Sequence, residues 1–153
     1  MTQRAEANPT GTLTVSIANT LRQQYLLDTD VDRHVNLCFL HQCAQTSSDI
    51  SILIIARADA IVNLSATVSI PANTPDCRTN LRIQVITMGN AIVTASPDLE
   101  IANNQVVASH SLSTIHLSNA ELLYLASRGI NNQQARELLI ETYLDRFSQA
   151  VRL

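Results

Sequence analysis

Apolar side chains alternate with Ser, Thr and Asn along much of the first hundred residues. "TLTVSI" sets Leu13, Val15 and Ile17 against Thr and Ser, and "VNLCFL" does the same with Val35, Leu37 and Phe39. A period of two predicts half-buried strands. "SDISILIIARADAIVNLSATVSI" follows, then a loop, "PANTPD", and then "TNLRIQVITMGNAIVTASPDLEI". Overlaid at an offset of 31 (83 minus 52), the two long segments match at Ile52 and Ile83, Ile54 and Val85, Ile55 and Ile86, and Asp59 and Asn90. The match continues through "AIV" at 60–62 and 91–93, and reaches Ile70 with Ile101 and Asn73 with Asn104. The turn positions Ala58-Asp59 and Gly89-Asn90 align as well as the apolar ones, which describes one strand–turn–strand unit used twice. Such a unit cannot bury both faces alone. Stacking solves this, so the chain is predicted to be mainly β, with a parallel β-solenoid core.

The pattern changes at Leu117. "SNAE", Ser118 to Glu121, is a capping box, with Leu117 and Leu122 placed as a hydrophobic staple. The helix stops at Gly129, where a left-handed residue is wanted. Asn131 or Asn132 caps a second helix, whose expected apolar face is Ala135, Leu138, Leu139, Thr142, Tyr143, Phe147, Ala150 and Val151. The expected organisation is a flexible arm over 1–12, a solenoid over 13–116 and a helical region over 117–153, with a helix covering an open end of the stack.

Composition narrows the function classes. The chain has 153 residues, 46% hydrophobic but only 3% aromatic, and a net charge of −3. Its basic residues are all Arg and form no run, which speaks against nucleic acid as a partner. The start lacks the apolar segment of a signal peptide, and "ISILIIA" is too short to span a bilayer, so no membrane association and a cytoplasmic location are expected. Three cysteines do not make a disulfide framework. No Walker motif, GxGxxG or Ser/His/Asp constellation appears, so the chain is not expected to be an enzyme.

"RHVNLCFLHQC" concentrates His34, Cys38, His41 and Cys43. In a strand, parity sends His34 and Cys38 to one face and His41 and Cys43 to the other, and four ligands divided in this way cannot close around one ion. A helix would instead gather His34, Cys38 and His41, and local zinc binding is the chemistry that arrangement would support. In the strand, the cysteines pack as small apolar residues.

The stretch "ASPDLEIANNQVVASHSLSTIHLSNAELLYLASRGINNQQARELLI" resembles the C-terminal core of the SufB/SufD family, the scaffold subunits of the Suf iron–sulfur cluster assembly machine. Pro97 to Ile101, Val106 to Thr114, Tyr124 to Ile130 and Ala135 to Ile140 carry the likeness. It implies a right-handed parallel β-helix followed by two helices, dimerisation through the β-helix, and docking of a SufC-type ABC ATPase on the helices. It also singles out His110 as the match to a SufD-type histidine, and His41 as a looser match. Ser111 stands where the family commonly has Gly or Glu. SufB-type chemistry further calls for a cysteine on an earlier rung, for which Cys77 is the candidate.

Cluster or metal candidates are therefore His110, His41 and Cys77, and partner-binding candidates are Tyr124, Arg128, Gly129 and Leu138. The expected function is that of a short, non-enzymatic, SufD-like scaffold handling a transient iron–sulfur cluster. Its expected partners are a SufC-type ATPase and either a SufB-like subunit or a second copy of itself. The alternative is an interaction module, a solenoid that dimerises but carries no cluster.

Overall fold

The computed structural model describes residues 10–149. Eight strands come first: β1 Thr10–Ile17, β2 Thr20–Thr29, β3 Arg33–His41, β4 Ser47–Ala56, β5 Ile61–Ile70, β6 Cys77–Thr87, β7 Ile92–Ile101 and β8 Val106–Thr114. Two helices follow, α1 Asn119–Ser127 and α2 Asn132–Gln149. Odd-numbered strands form one four-stranded sheet and even-numbered strands another, each in chain order. Every pairing is parallel. The chain thus passes from one sheet to the other and back, each odd–even pair making one rung. It is a parallel β-solenoid with two C-terminal helices, as the alternation and the repeat imply. β1 begins at Thr10, so Thr10, Gly11 and Thr12 belong to a strand rather than to the expected arm, whose other residues lie outside the described ones.

The repeat of 31 is the hydrogen-bonded register of the middle rungs. Ile52 lies beside Ile83, Ile54 beside Val85, Ile61 beside Ile92 and Ile70 beside Ile101. Elsewhere the step differs: Thr10 lies beside His34, Thr20 beside Ser47 and Cys77 beside Val106, steps of 24, 27 and 29 by subtraction. Corner lengths set these steps. Four residues, 102–105, join β7 to β8, whereas six, 71–76, join β5 to β6. The sequence repeat therefore fades just beyond Asn104.

Side chains alternate as parity demands. Ile50, Ile52 and Ile54 on β4 face the interior with Leu81, Ile83 and Val85 on β6 and with Val62, Leu64, Ala66 and Val68 on β5. Tyr25 meets Phe39 edge-on, with ring centroids 5.7 Å apart, a favoured aromatic geometry. The "ISILIIA" run departs from alternation because β4 is buried on both faces at its end, from Ile52 to Ala56.

The corners stack as tightly as the strands. Ala58 and Gly89 both have positive φ, 56° and 68°, and the Asn90 amide donates to the Ala58 carbonyl at 2.8 Å. A Cβ on Gly89 would lie 2.7 Å from that carbonyl oxygen, so this corner requires glycine twice over. Asn90 also donates to Asp59.

Two compact units are distinguishable, one ending at Thr114 and one beginning at Ile115. In the second, Ser118 caps α1 by accepting from the Glu121 amide. Gly129, at φ 82°, ends it in a Schellman motif: the Gly129 amide donates to Ala126 and the Ile130 amide to Leu125. Asn131, rather than Asn132, caps α2 through the Gln134 amide. The buried face of α2 is Ala135, Ile140 and Phe147, with Leu139, Tyr143 and Leu144 half-buried. It is rotated from the expected one: Leu138 and Thr142 are exposed, while Ala150 and Val151 lie outside the described residues. No described helix is long and apolar enough to cross a membrane.

Candidate functional site

β8 is the last strand of the even sheet, and His110 stands at its middle, in register with Leu81. That column runs Gln23, Ile50, Leu81, His110 from rung to rung. Ile50 and Leu81 are fully buried. His110 occupies an inward-facing position of a rung on which, among the described residues, no further strand lies, and it is exposed. Ala108 and Leu112 flank it on the same row. Ile83, the partner of Leu112, is fully buried, while Leu112 itself is 48% exposed. A hydrogen-bonded ladder on the outer face holds β8 in place. Asn80 donates to Asp49 at 3.0 Å, Ser109 donates to Asn80 at 3.1 Å, and Arg22 reaches Asp49 at 4.0 Å. The ladder ends one residue from His110.

His41 and Cys77 share a different environment. His41 is fully buried, its Nδ1 2.7 Å from the Thr46 hydroxyl and its Nε2 3.1 Å from the Ser48 hydroxyl. Thr46 donates its only hydrogen to the Cys43 carbonyl at 2.9 Å, so towards His41 it can only accept. With that hydrogen so placed, the ring proton is assigned to Nδ1, and Nε2 accepts from Ser48. Ser48 in turn lies 2.7 Å from the Thr79 hydroxyl. The Cys77 sulfur is 3.2 Å from the Thr46 hydroxyl and 3.5 Å from the Cys43 carbonyl. Burial pushes the His41 pKa below its ordinary value, because charging an enclosed ring among hydroxyls lacks compensation. Both ring nitrogens are engaged.

His34 and Cys38 part from His41 as strand parity implies, whereas Cys43, expected on the His41 face, lies beyond the end of β3. His34 is exposed and Cys38 half-buried on the side opposite to His41, and Cys43 is exposed in the following turn. Among the described residues, no three His, Cys, Asp or Glu side chains come close enough to hold a metal ion.

On α1, Tyr124 and Arg128 are four residues apart on one face, with the guanidinium carbon 5.3 Å from the ring centroid. Tyr124 is 59% exposed, and Leu123 beside it 72%. On α2, Leu138 shares a hollow of about 460 Å³ with Asn131, Gln134, Glu137 and Glu141. Gly129 is the helix terminator described above.

The sequence reading missed Thr46, Ser48 and Thr79 as partners of His41, and Leu123 as an exposed apolar residue. The signal for the first three was present: at the same offset of 31, Thr46 falls on Cys77 and Ser48 on Thr79. The repeat extends six residues upstream of Ile52.

Comparison with known proteins adds the following. The family model described as "SUF system FeS cluster assembly, SufBD core domain" matches residues 14–143. An iron–sulfur cluster assembly SufBD family protein of Synechocystis is 27% identical over 143 residues, 94% of this chain and 30% of that protein. The iron–sulfur cluster assembly protein SufB of Bacillus subtilis is 25% identical over 111 residues, 72% of this chain and 24% of its own. A SufBD family protein of Staphylococcus aureus is 24% identical over the same share of both chains, 72% and 24%. The chain spans less than a third of the length of these relatives.

Proposed function

The chain belongs to the SufBD family, and on that premise we propose that it serves iron–sulfur cluster assembly as a non-enzymatic, SufD-like scaffold component in the cytoplasm. One observation carries this reading: an exposed imidazole, His110, at the centre of an edge strand in a row that is otherwise interior. Unpaired edge strands favour addition of a further strand. A second copy, or a SufB-like subunit, joins along β8 and encloses His110. Neutral imidazole is a ligand for iron, so His110 contributes one ligand to a transient cluster that passes through as cargo. The other ligands come from the neighbouring subunit, since three are not gathered within the described residues of one copy. His41 and Cys77, enclosed and hydrogen-bonded, serve the solenoid itself in this reading.

The helical unit is the docking surface for a SufC-type ABC ATPase. Leu123, Tyr124 and Leu138 offer exposed apolar area there, Arg128 offers a cation stacked on Tyr124, and Gly129 ends the helix beside it.

Anaerobic reconstitution with iron and sulfide tests the first half. A cluster absorption band in the assembled protein, lost in His110→Ala with assembly retained, is the expected result. No band in either form supports the second reading, an interaction module without cargo, which the lack of a three-ligand group within the described residues favours. For docking, Arg128→Glu and Leu138→Asp are each expected to weaken co-purification of the ATPase. Undiminished co-purification overturns that half alone.

A further inference from the structure

The His41 network is not used by the reading above, and its hydrogen bonds have a direction. Thr46 donates to the Cys43 carbonyl and accepts from His41 Nδ1, while Ser48 donates to His41 Nε2 and accepts from Thr79. The same Thr46 hydroxyl and Cys43 carbonyl also enclose the Cys77 sulfur, leaving Cys77 1% exposed. The imidazole is thus one tie of the 42–46 turn to strands β4 and β6, beside backbone bonds from Gln45 to the Pro75 carbonyl, from Arg78 to the Thr46 carbonyl and from Gln42 to the Ile17 carbonyl, and that turn covers the thiol.

We propose that this corner is an acid-operated latch: protonation of His41 reverses its bond to Ser48, releases the 42–46 turn and uncovers Cys77. Nε2 is the nitrogen that gains the proton, and it then presents a donor to a hydroxyl whose own hydrogen points back at it. Ser48 and Thr79 must both turn round, and a charge remains among neutral groups. Among the described residues, no countercharge faces the ring. β1 and β5 carry no titratable residue. Asp49 on β4 is engaged on the outer face by Asn80 and Arg22. Asp76 and Arg78, on either side of Cys77, are exposed, as is Cys43. On β2, Tyr25 packs against Phe39 two residues away. The lowered His41 pKa agrees with this geometry. Gln45 in the turn and Asp76 beside Cys77 both stand in the left-handed region, at φ 58° and 59°.

The test uses the full chain with Cys38→Ser and Cys43→Ser, so that Cys77 is its only thiol. Its reaction with 4,4′-dithiodipyridine is followed by thiopyridone release, relative to glutathione at each pH. The relative rate is expected to rise at least tenfold from pH 7.5 to 5.5 while the strand signal in circular dichroism is unchanged. It should stay flat in His41→Gln, whose amide can donate and accept but not titrate. A flat rate in the parent, or an equal rise in His41→Gln, overturns the proposal. Should His41→Gln fail to fold, amide exchange in the parent decides. Faster exchange at pH 5.5 confined to 42–48 and 77–79, after correction for intrinsic rates, supports the latch. Uniform acceleration across the solenoid, or none, overturns it.

Discussion

His41 and His110 both occupy inward positions of the same solenoid, yet they live in opposite surroundings. His41 has strands on either side, and both of its nitrogens are bonded to hydroxyls. His110 is carried by β8, which has a neighbour on one side only, and it is exposed. Parity alone does not bury a side chain in a stacked fold; a rung above it is also required. The column Gln23, Ile50, Leu81, His110 makes the same point within a single line of side chains.

The sharpest probe of this difference is a matched pair in the adjacent column. Ile83→Ala removes a fully buried side chain and is expected to cost about 2–5 kcal/mol. Leu112→Ala, at its register partner on the terminal rung, should cost under about 1 kcal/mol in the isolated chain. Urea denaturation of both measures the contrast, and equal losses would break it.

The histidines form the second pair. His41→Ala takes from Thr46 and Ser48 one buried partner each, leaving them only Cys43, Cys77 and Thr79, and empties the ring's place, for an expected loss of about 2–4 kcal/mol. His110→Ala should fall within about 0.5 kcal/mol of the parent. The His41 contribution also depends on pH. Its pKa is lower in the folded chain than the ordinary 6.5, so the unfolded chain binds the extra proton first. Stability is complete above 6.5 and declines as pH falls. Thermal melts of the parent and His110→Ala should show this decline in parallel.

Tyr25 titrates at the alkaline end of the same enclosed region. Burial pushes its phenol from 10.0 up to about 12, and its hydroxyl donates to Gln23. The unfolded chain therefore loses that proton first, and about 2 kcal/mol of stability present below pH 10 disappears as pH rises towards 12. Tyr25→Phe should remove that part of the alkaline slope in denaturation curves. On the helices, Tyr124→Ala removes the ring on which Arg128 stacks and should change stability by about 0.5–1 kcal/mol.

The fold was legible because solenoid strands obey two rules at once. Alternation marked Val35, Leu37 and Phe39 as inward, and the recurrence of Ile52 as Ile83 gave the register itself. What hid the remaining rungs was corner length, which differs between turns and shifts the period. The capping Ser118 and the terminating Gly129 were legible because their roles are local. The buried face of α2 was not: Leu138 and Ile140 are equally apolar, and tertiary packing rather than periodicity chooses between them. The position of His110 followed from its motif, but its exposure depends on being on the last rung. The neutral partners of His41 were invisible because the repeat is traced only from Ile52 onward, which leaves Thr46 and Ser48 outside it.

The Ala58–Gly89 stack has a genetic corollary. Excising Asp59 through Gly89 in a single deletion would splice two superimposable corners, bring Ala108 beside Ser48 and His110 beside Ile50, and leave the terminal surface chemically unchanged. Size and site are thereby uncoupled: a lineage can gain or shed whole layers of this protein while the imidazole at its end stays where it was.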